Sequence, residues 1–208
     1  MNWGAPMWSD AEHRPSVIWL TGVSGAGKST IAGELESELR RFRCTVGRVD
    51  GDDLRAGLCS DLGFTIEDRE ENIRRAGEVA RLMVQSGLLV VVSLISPSTQ
   101  GRAQVRALFD PDEFFEVHVD TPLEVAEFRD PKGLYRRARS GGIGQFTGID
   151  SPYEPPRSPE VRVDTVTNSA NECALLVLDA LVQAGRLPDS LVSAGPAEPP
   201  ELADDSRA

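Results

Sequence analysis

The run Gly22-Val23-Ser24-Gly25-Ala26-Gly27-Lys28-Ser29, followed by Thr30, satisfies the pattern G-x-x-x-x-G-K-[ST] in full. Each residue type in it has a chemical task. Glycines let successive backbone N–H groups curl around a phosphate, a following helix N-terminus adds a favourable dipole, the lysine reaches the outer phosphate oxygens, and the hydroxyl offers a ligand to Mg²⁺. A second cluster, Asp50-Gly51-Asp52, spaces two carboxylates so that on an extended segment they share a face. At the end of a strand beside a phosphate loop, such a pair can serve one metal and one hydroxyl, although a solvated acidic turn would look the same. A third group is Arg69 and Asn72, which share a face near a helix start, with Arg55 able to converge on them. Guanidinium forks match planar oxygen faces, so together these residues can clamp an anion. Taken alone, Arg69 is read more readily as a surface partner of Glu70 or Glu71.

These groups need elements to hold them. The apolar run 16–20 (SVIWL) leads directly into the glycine-rich turn and then into the amphipathic stretch 31–43, giving strand, loop and helix in the order the motif requires. Further strands are expected at 45–49, 88–94 (LLVVVSL) and 114–119, separated by helix-length segments. Continuous apolar strands alternating with helices imply a parallel sheet covered on both faces. Ile73, Ala76, Ala80 and Met83 predict a helix over 67–85, with Thr65 as its N-cap and Gly87 as its stop. A closing helix is expected at 170–183. Residues 130–156 are rich in Gly, Arg and Pro with weak periodicity, which suggests a mobile segment over a site.

Composition narrows the class. A chain of 208 residues with 40% hydrophobic content fits one α/β domain. No apolar run approaches the roughly 18 residues of a membrane span, and residues 1–15 lack the features of a secretory signal, so a soluble cytoplasmic protein is expected. Cys44, Cys59 and Cys173 show no ligand spacing and are expected to remain thiols. The net charge of −11 argues against a nucleic-acid partner, which would need a basic face. Residues 188–208 are expected to form a disordered acidic tail and residues 1–15 a flexible segment. The chain has no N-K-x-D guanine motif, and neither 88–94 nor 114–119 ends in the Asp-Glu of a motor ATPase.

From Asp50-Gly51-Asp52-Asp53-Leu54-Arg55 onward the chain resembles the adenylylsulfate kinases, a family of P-loop kinases. The likeness continues through Asp61-Leu62-Gly63-Phe64-Thr65, Asp68-Arg69-Glu70-Glu71-Asn72, Ser93-Leu94-Ile95-Ser96-Pro97, Arg129-Asp130-Pro131-Lys132-Gly133-Leu134-Tyr135 and Phe146-Thr147-Gly148-Ile149-Asp150. It covers residues 16–187 and implies a three-layer α/β P-loop kinase domain with a mainly parallel sheet of about five strands. The implied reaction moves the γ-phosphoryl of ATP to the 3′-hydroxyl of adenosine 5′-phosphosulfate, with Mg²⁺. By the same resemblance Gly22, Ser24, Gly25, Ala26, Gly27, Lys28, Ser29 and Thr30 bind ATP, and Arg129 lies against its adenine. Ser29 and Asp50 serve Mg²⁺, Asp50 through water, while Asp52 orients the ribose hydroxyl and accepts its proton. Arg55, Arg69, Asn72, Ile95 and Ser96 contact the acceptor, Phe64 and Phe146 sandwich its adenine, and Lys132 swings in towards the phosphates. Ser96 matches a serine discussed as a phosphoryl acceptor. In-line transfer needs no covalent step, so a substrate-contacting loop role is expected for it.

Two sets of departures stand out. Gly142 and Gly144 replace the Glu and Lys usual in the lid, and Asp53 and Ser98 replace the usual Asn and aromatic residue. The resemblance also implies a homodimer and leaves an association with ATP sulfurylase open. Two alternatives remain at this stage: another small-metabolite P-loop kinase, acting for example on a sugar acid, and a weakly catalytic nucleotide-binding module serving ATP sulfurylase.

Overall fold

Strand β1 (Ser16–Thr21) is buried along its whole length, as a strand covered on both faces must be. Around it β2 (Val46–Asp50), β3 (Leu89–Ser93), β4 (Phe114–Asp120) and β5 (Val161–Asp164) form one sheet in the order β2-β3-β1-β4-β5, and every pairing is parallel. This computed structural model describes residues 13–188. The expectations for residues 1–12 and 189–208 lie outside the described residues.

Alternation along the strands sends side chains into two separate cores. Ile18, Leu20, Leu89, Val91 and Val117 pack against α1 (Lys28–Arg41) and α7 (Ala170–Gln183), through Ile31, Leu35, Leu39, Val177 and Leu181. Val17, Trp19, Val90 and Val92 point the other way, onto Ile73, Ala76, Ala80 and Val84 of α3 (Ile66–Gln85) and Val105 of α4 (Thr99–Arg106). The result is three layers, helix on sheet on helix. Because all strands run in one direction, their carboxyl ends share one edge, and the chain leaves β1 to one side for β2 and then works back past β1 to β4 and β5 on the other side. Ligand crevices form at such points.

The start of α3 matters for the site. Thr65 accepts from the Asp68 N–H at 3.1 Å and the Asp68 carboxylate accepts from the Thr65 N–H at 3.4 Å, a reciprocal cap that pins the first turn. Replacing a cap of this kind by Ala costs about 1 kcal/mol. The helix then presents Arg69 and Asn72 one turn further on.

Several elements differ from the expectation. β2 runs one residue later, so that Asp50 ends the strand, and the short helix α2 (Gly51–Ala56) begins at once. β5 is only four residues long and partly exposed, too short for a clear alternation. Residues 130–156 are not uniformly loop: α6 (Leu134–Arg139) lies within them, and Tyr135, Ala138 and Phe146 are buried in the core beside α1. The three cysteines are buried and none forms a disulfide.

Candidate active site

The carboxyl edge of the sheet opens into a cleft of about 760 Å³. All the residues expected to act line it, with the exception of Gly22, the first residue of the phosphate loop. The phosphate loop forms one end. Gly25 has φ +73° and its Cβ, had it one, would stand 2.8 Å from the Ala126 carbonyl of α5 (Leu123–Arg129), so both conformation and space require glycine. Gly27 at φ +99° turns the chain into α1, whose first residue is Lys28. The Lys28 ammonium is buried and donates to the carbonyls of Gly22 at 2.9 Å and Val23 at 2.7 Å. Burial, followed by the neighbouring charge of Lys132, pushes its pKa down to about 7 against the pull of Asp50 and Asp52. The loop therefore folds its own cation inward.

Asp50 and Asp52 do not lie on one extended segment. Asp50 caps α2 and Asp52 sits in the first turn of that helix, because the strand gives way to the helix between them. The consequence is a division between the two carboxylates. Asp50 turns inward, where its Oδ2 accepts from Ser29 Oγ at 2.7 Å and Ser93 Oγ at 2.6 Å while Oδ1 accepts the Asp52 N–H at 2.9 Å. Burial works to raise the Asp50 pKa, but these three hydrogen bonds and Lys132 prevail and hold it below the usual carboxylate range. Asp52 faces the open cleft, 63% exposed, and pairs with the ammonium of Lys132. Lys132 thus stands against the carboxylate, where an approach to phosphates had been expected.

The opposite wall is built by side chains. Arg69 is 8% exposed and does not pair with Glu70 or Glu71; its Nε donates to the Phe64 carbonyl at 3.0 Å and its Nη2 to the Gln145 carbonyl at 2.7 Å. Glu71 is taken instead by Arg74 and Arg75. Arg55 lies over the Phe64 ring at 4.5 Å and donates to the Gly63 carbonyl at 2.8 Å. Asn72 is buried with its Oδ1 unpartnered, an acceptor waiting for a donor. Phe64 is half-exposed at the rim, whereas Phe146 is buried and meets Tyr135 edge-on at 4.9 Å. The loop after β3 closes the back. Ser96 has φ +39°, its Oγ accepts from Trp19 Nε1 at 3.1 Å, and its carbonyl accepts from Arg102 at 2.7 Å. The Ile95 carbonyl accepts from Thr21 Oγ1 at 2.7 Å. Strained backbone held from several sides is typical of functional loops.

On the far side Arg129 donates to Thr165 Oγ1 at 2.9 Å and to its carbonyl at 2.7 Å, fastening the α5 end to the turn after β5. Thr165, Asn168 and Ser169 line the cleft beside it, and sequence reasoning passed over all three. Ser169 was legible: with Glu172 it forms the capping box that starts α7. Ser93 was missed for a different reason, since its partner Asp50 is its neighbour only through the β2–β3 register.

This chain also matches known proteins. The adenylylsulphate kinase family model matches residues 14–164, most of the chain. The chain belongs to the adenylylsulfate kinase family. The adenylyl-sulfate kinase of Shewanella amazonensis is 53% identical over 176 residues, spanning 85% of this chain and 89% of that protein. The corresponding kinase of Geotalea daltonii is 55% identical over 166 residues, covering 80% and 82%. Among solved structures, the Mycobacterium tuberculosis APS kinase in complex with AMPPNP and APS superposes with a TM-score of 0.77 at 46% identity, over 81% of this chain and 98% of that one. Its parallel five-stranded architecture is therefore that of an adenylylsulfate kinase. No helix among the described residues is long and apolar enough to cross a membrane.

Proposed function

We propose that this chain transfers the γ-phosphoryl of ATP to the 3′-hydroxyl of adenosine 5′-phosphosulfate, giving ADP and 3′-phosphoadenosine 5′-phosphosulfate. The observation that carries the reading is one cleft with two unlike ends: a phosphate loop at one, an arginine and aromatic wall at the other, and Asp52 between them. A family member that holds AMPPNP and APS together supports it.

In this reading Gly25, Gly27 and their neighbours cradle the triphosphate, and Lys28 leaves its two carbonyl partners to bind the β and γ oxygens. Arg129 supports the ATP base. Arg55, Arg69 and Asn72 hold the phosphosulfate, and Phe64 with Phe146 hold the acceptor base. Asp52 releases Lys132, orients the ribose hydroxyl and takes its proton as attack begins. In-line transfer asks mainly for positioning and charge neutralisation. Ser29 and Asp50 fit Mg²⁺, since both are hard oxygen donors already 2.7 Å apart and the carboxylate is held ionised. The ion, when bound, neutralises charge on the β and γ oxygens. We also take residues 130–156 as the segment that covers the reacting groups and 16–187 as the functional unit. A cytoplasmic setting fits a reaction that consumes ATP. A homodimer and an association with ATP sulfurylase rest on the family resemblance alone.

The test is ADP release with four acceptors: adenylylsulfate, AMP, gluconate and shikimate. Release with adenylylsulfate far above the other three is expected. Preference for gluconate or shikimate would instead make this another metabolite kinase, and no release with any acceptor would favour a binding module.

A further inference from the structure

Tyr135 is 1% exposed and does not line the cleft, yet it touches both halves of it. Its hydroxyl donates to the Ser24 carbonyl of the phosphate loop at 2.9 Å, and its ring supports Phe146 edge-on at 4.9 Å with an interplanar angle of 75°. Asp130 fastens the helix that carries it, accepting from the Tyr135 N–H at 3.1 Å and the Arg136 N–H at 3.0 Å. Peptide geometry gives the first contact its consequence. A trans peptide is planar and its C=O and N–H point in opposite directions. Holding the Ser24 carbonyl towards Tyr135 therefore aims the next N–H, that of Gly25, away from Tyr135 and towards the cleft that Gly25 lines. Gly25 holds φ +73° with the Ala126 carbonyl of α5 close on one side, and the Tyr135 hydrogen bond fixes the carbonyl that precedes it.

We propose that Tyr135 is a positioning residue which presets the Gly25 N–H for the donor phosphates and braces Phe146 for the acceptor base, tying the two sub-sites to one buried side chain. This rests on the activity proposed above. Burial pushes the phenol up to about 12, so the hydroxyl remains a donor throughout the working pH range.

Two variants separate the two contacts. Tyr135→Phe keeps the ring and removes only the hydroxyl; Tyr135→Leu removes both. Affinity for AMPPNP is measured by calorimetry and KM for adenylylsulfate at saturating ATP. The Phe variant is expected to bind AMPPNP about fivefold more weakly, the loss of one ordinary hydrogen bond, with KM for adenylylsulfate unchanged. The Leu variant is expected to show the same AMPPNP loss and a raised KM for adenylylsulfate. AMPPNP binding by the Phe variant at the parent's affinity would overturn the proposal, as would identical parameters for both variants. A parent that binds AMPPNP but does not use adenylylsulfate would overturn the activity reading, while the Phe variant would still decide the phosphate-loop contact.

Discussion

The two halves of the cleft are built in opposite ways. The proposed donor half comes mainly from one short stretch, 22–30, whose glycines let the backbone curl, with Arg129 added from the end of α5. The proposed acceptor half takes Arg55 from α2, Arg69 and Asn72 from α3, Phe146 from beyond α6 and Ser96 from the loop after β3, joined by contacts such as Arg69 to Gln145 across 76 residues. A locally encoded site tolerates change elsewhere in the chain, whereas a site assembled over distance depends on every element that contributes. Donor and acceptor functions should accordingly fail separately when residues are removed.

The largest effect is expected at Lys28, where the donor half places its charge. Lys28→Ala should lower kcat by about 10³–10⁵-fold, as for other charged groups removed from a transferring phosphoryl, with unchanged circular dichroism. Asp52 lies between the halves and tests whether either alone suffices. Asp52→Asn should retain both substrate affinities but lower kcat by about 10²–10⁴-fold, because an amide can hold the hydroxyl but cannot take its proton. An unchanged kcat would move suspicion to Asp50.

Arg69→Ala should weaken adenylylsulfate by about one to two decades, the loss of a charge-assisted hydrogen bond worth about 1.5–3 kcal/mol, and leave AMPPNP affinity intact. Calorimetry that found equal losses for both ligands would erase the distinction between the halves. The halves also differ in pH response. Burial pushes the Lys28 pKa down to about 7, below its ordinary 10.5, and in the proposed binding mode the triphosphate takes the protonated form. Binding of AMPPNP should therefore be level below pH 7 and weaken above it by up to about tenfold per pH unit, with proton uptake. The acceptor half relies on guanidinium groups that stay charged, so its affinity should stay flat over the same range.

The donor half was legible in the sequence because its chemistry is contiguous, and the strand and helix around it follow from apolar runs. The long α3 and its cap were legible for the same reason. What could not be read was geometry set by distant partners: the split between Asp50 and Asp52 imposed by α2, the Ser93 neighbour supplied by strand register, the edge strand β5, and the burial of Tyr135 within a segment whose composition resembles loop. Gly142 and Gly144 show the limit clearly. A side chain at 142 would press on the Arg137 carbonyl at 3.2 Å, whereas position 144 is open. Only Gly144→Lys is thus expected to help, by restricting the open chain by about 0.5–1 kcal/mol and lowering KM for adenylylsulfate a few-fold. KM equal to the parent's would remove this position from closure.

The most direct test is the identity of the product. With ATP, Mg²⁺ and adenylylsulfate, ³¹P NMR of the reaction should show a new phosphomonoester resonance coupled to the ribose H3′, growing in step with ADP. Phosphate coupled to H2′, or ADP formed together with inorganic phosphate and no new ester, would contradict the account.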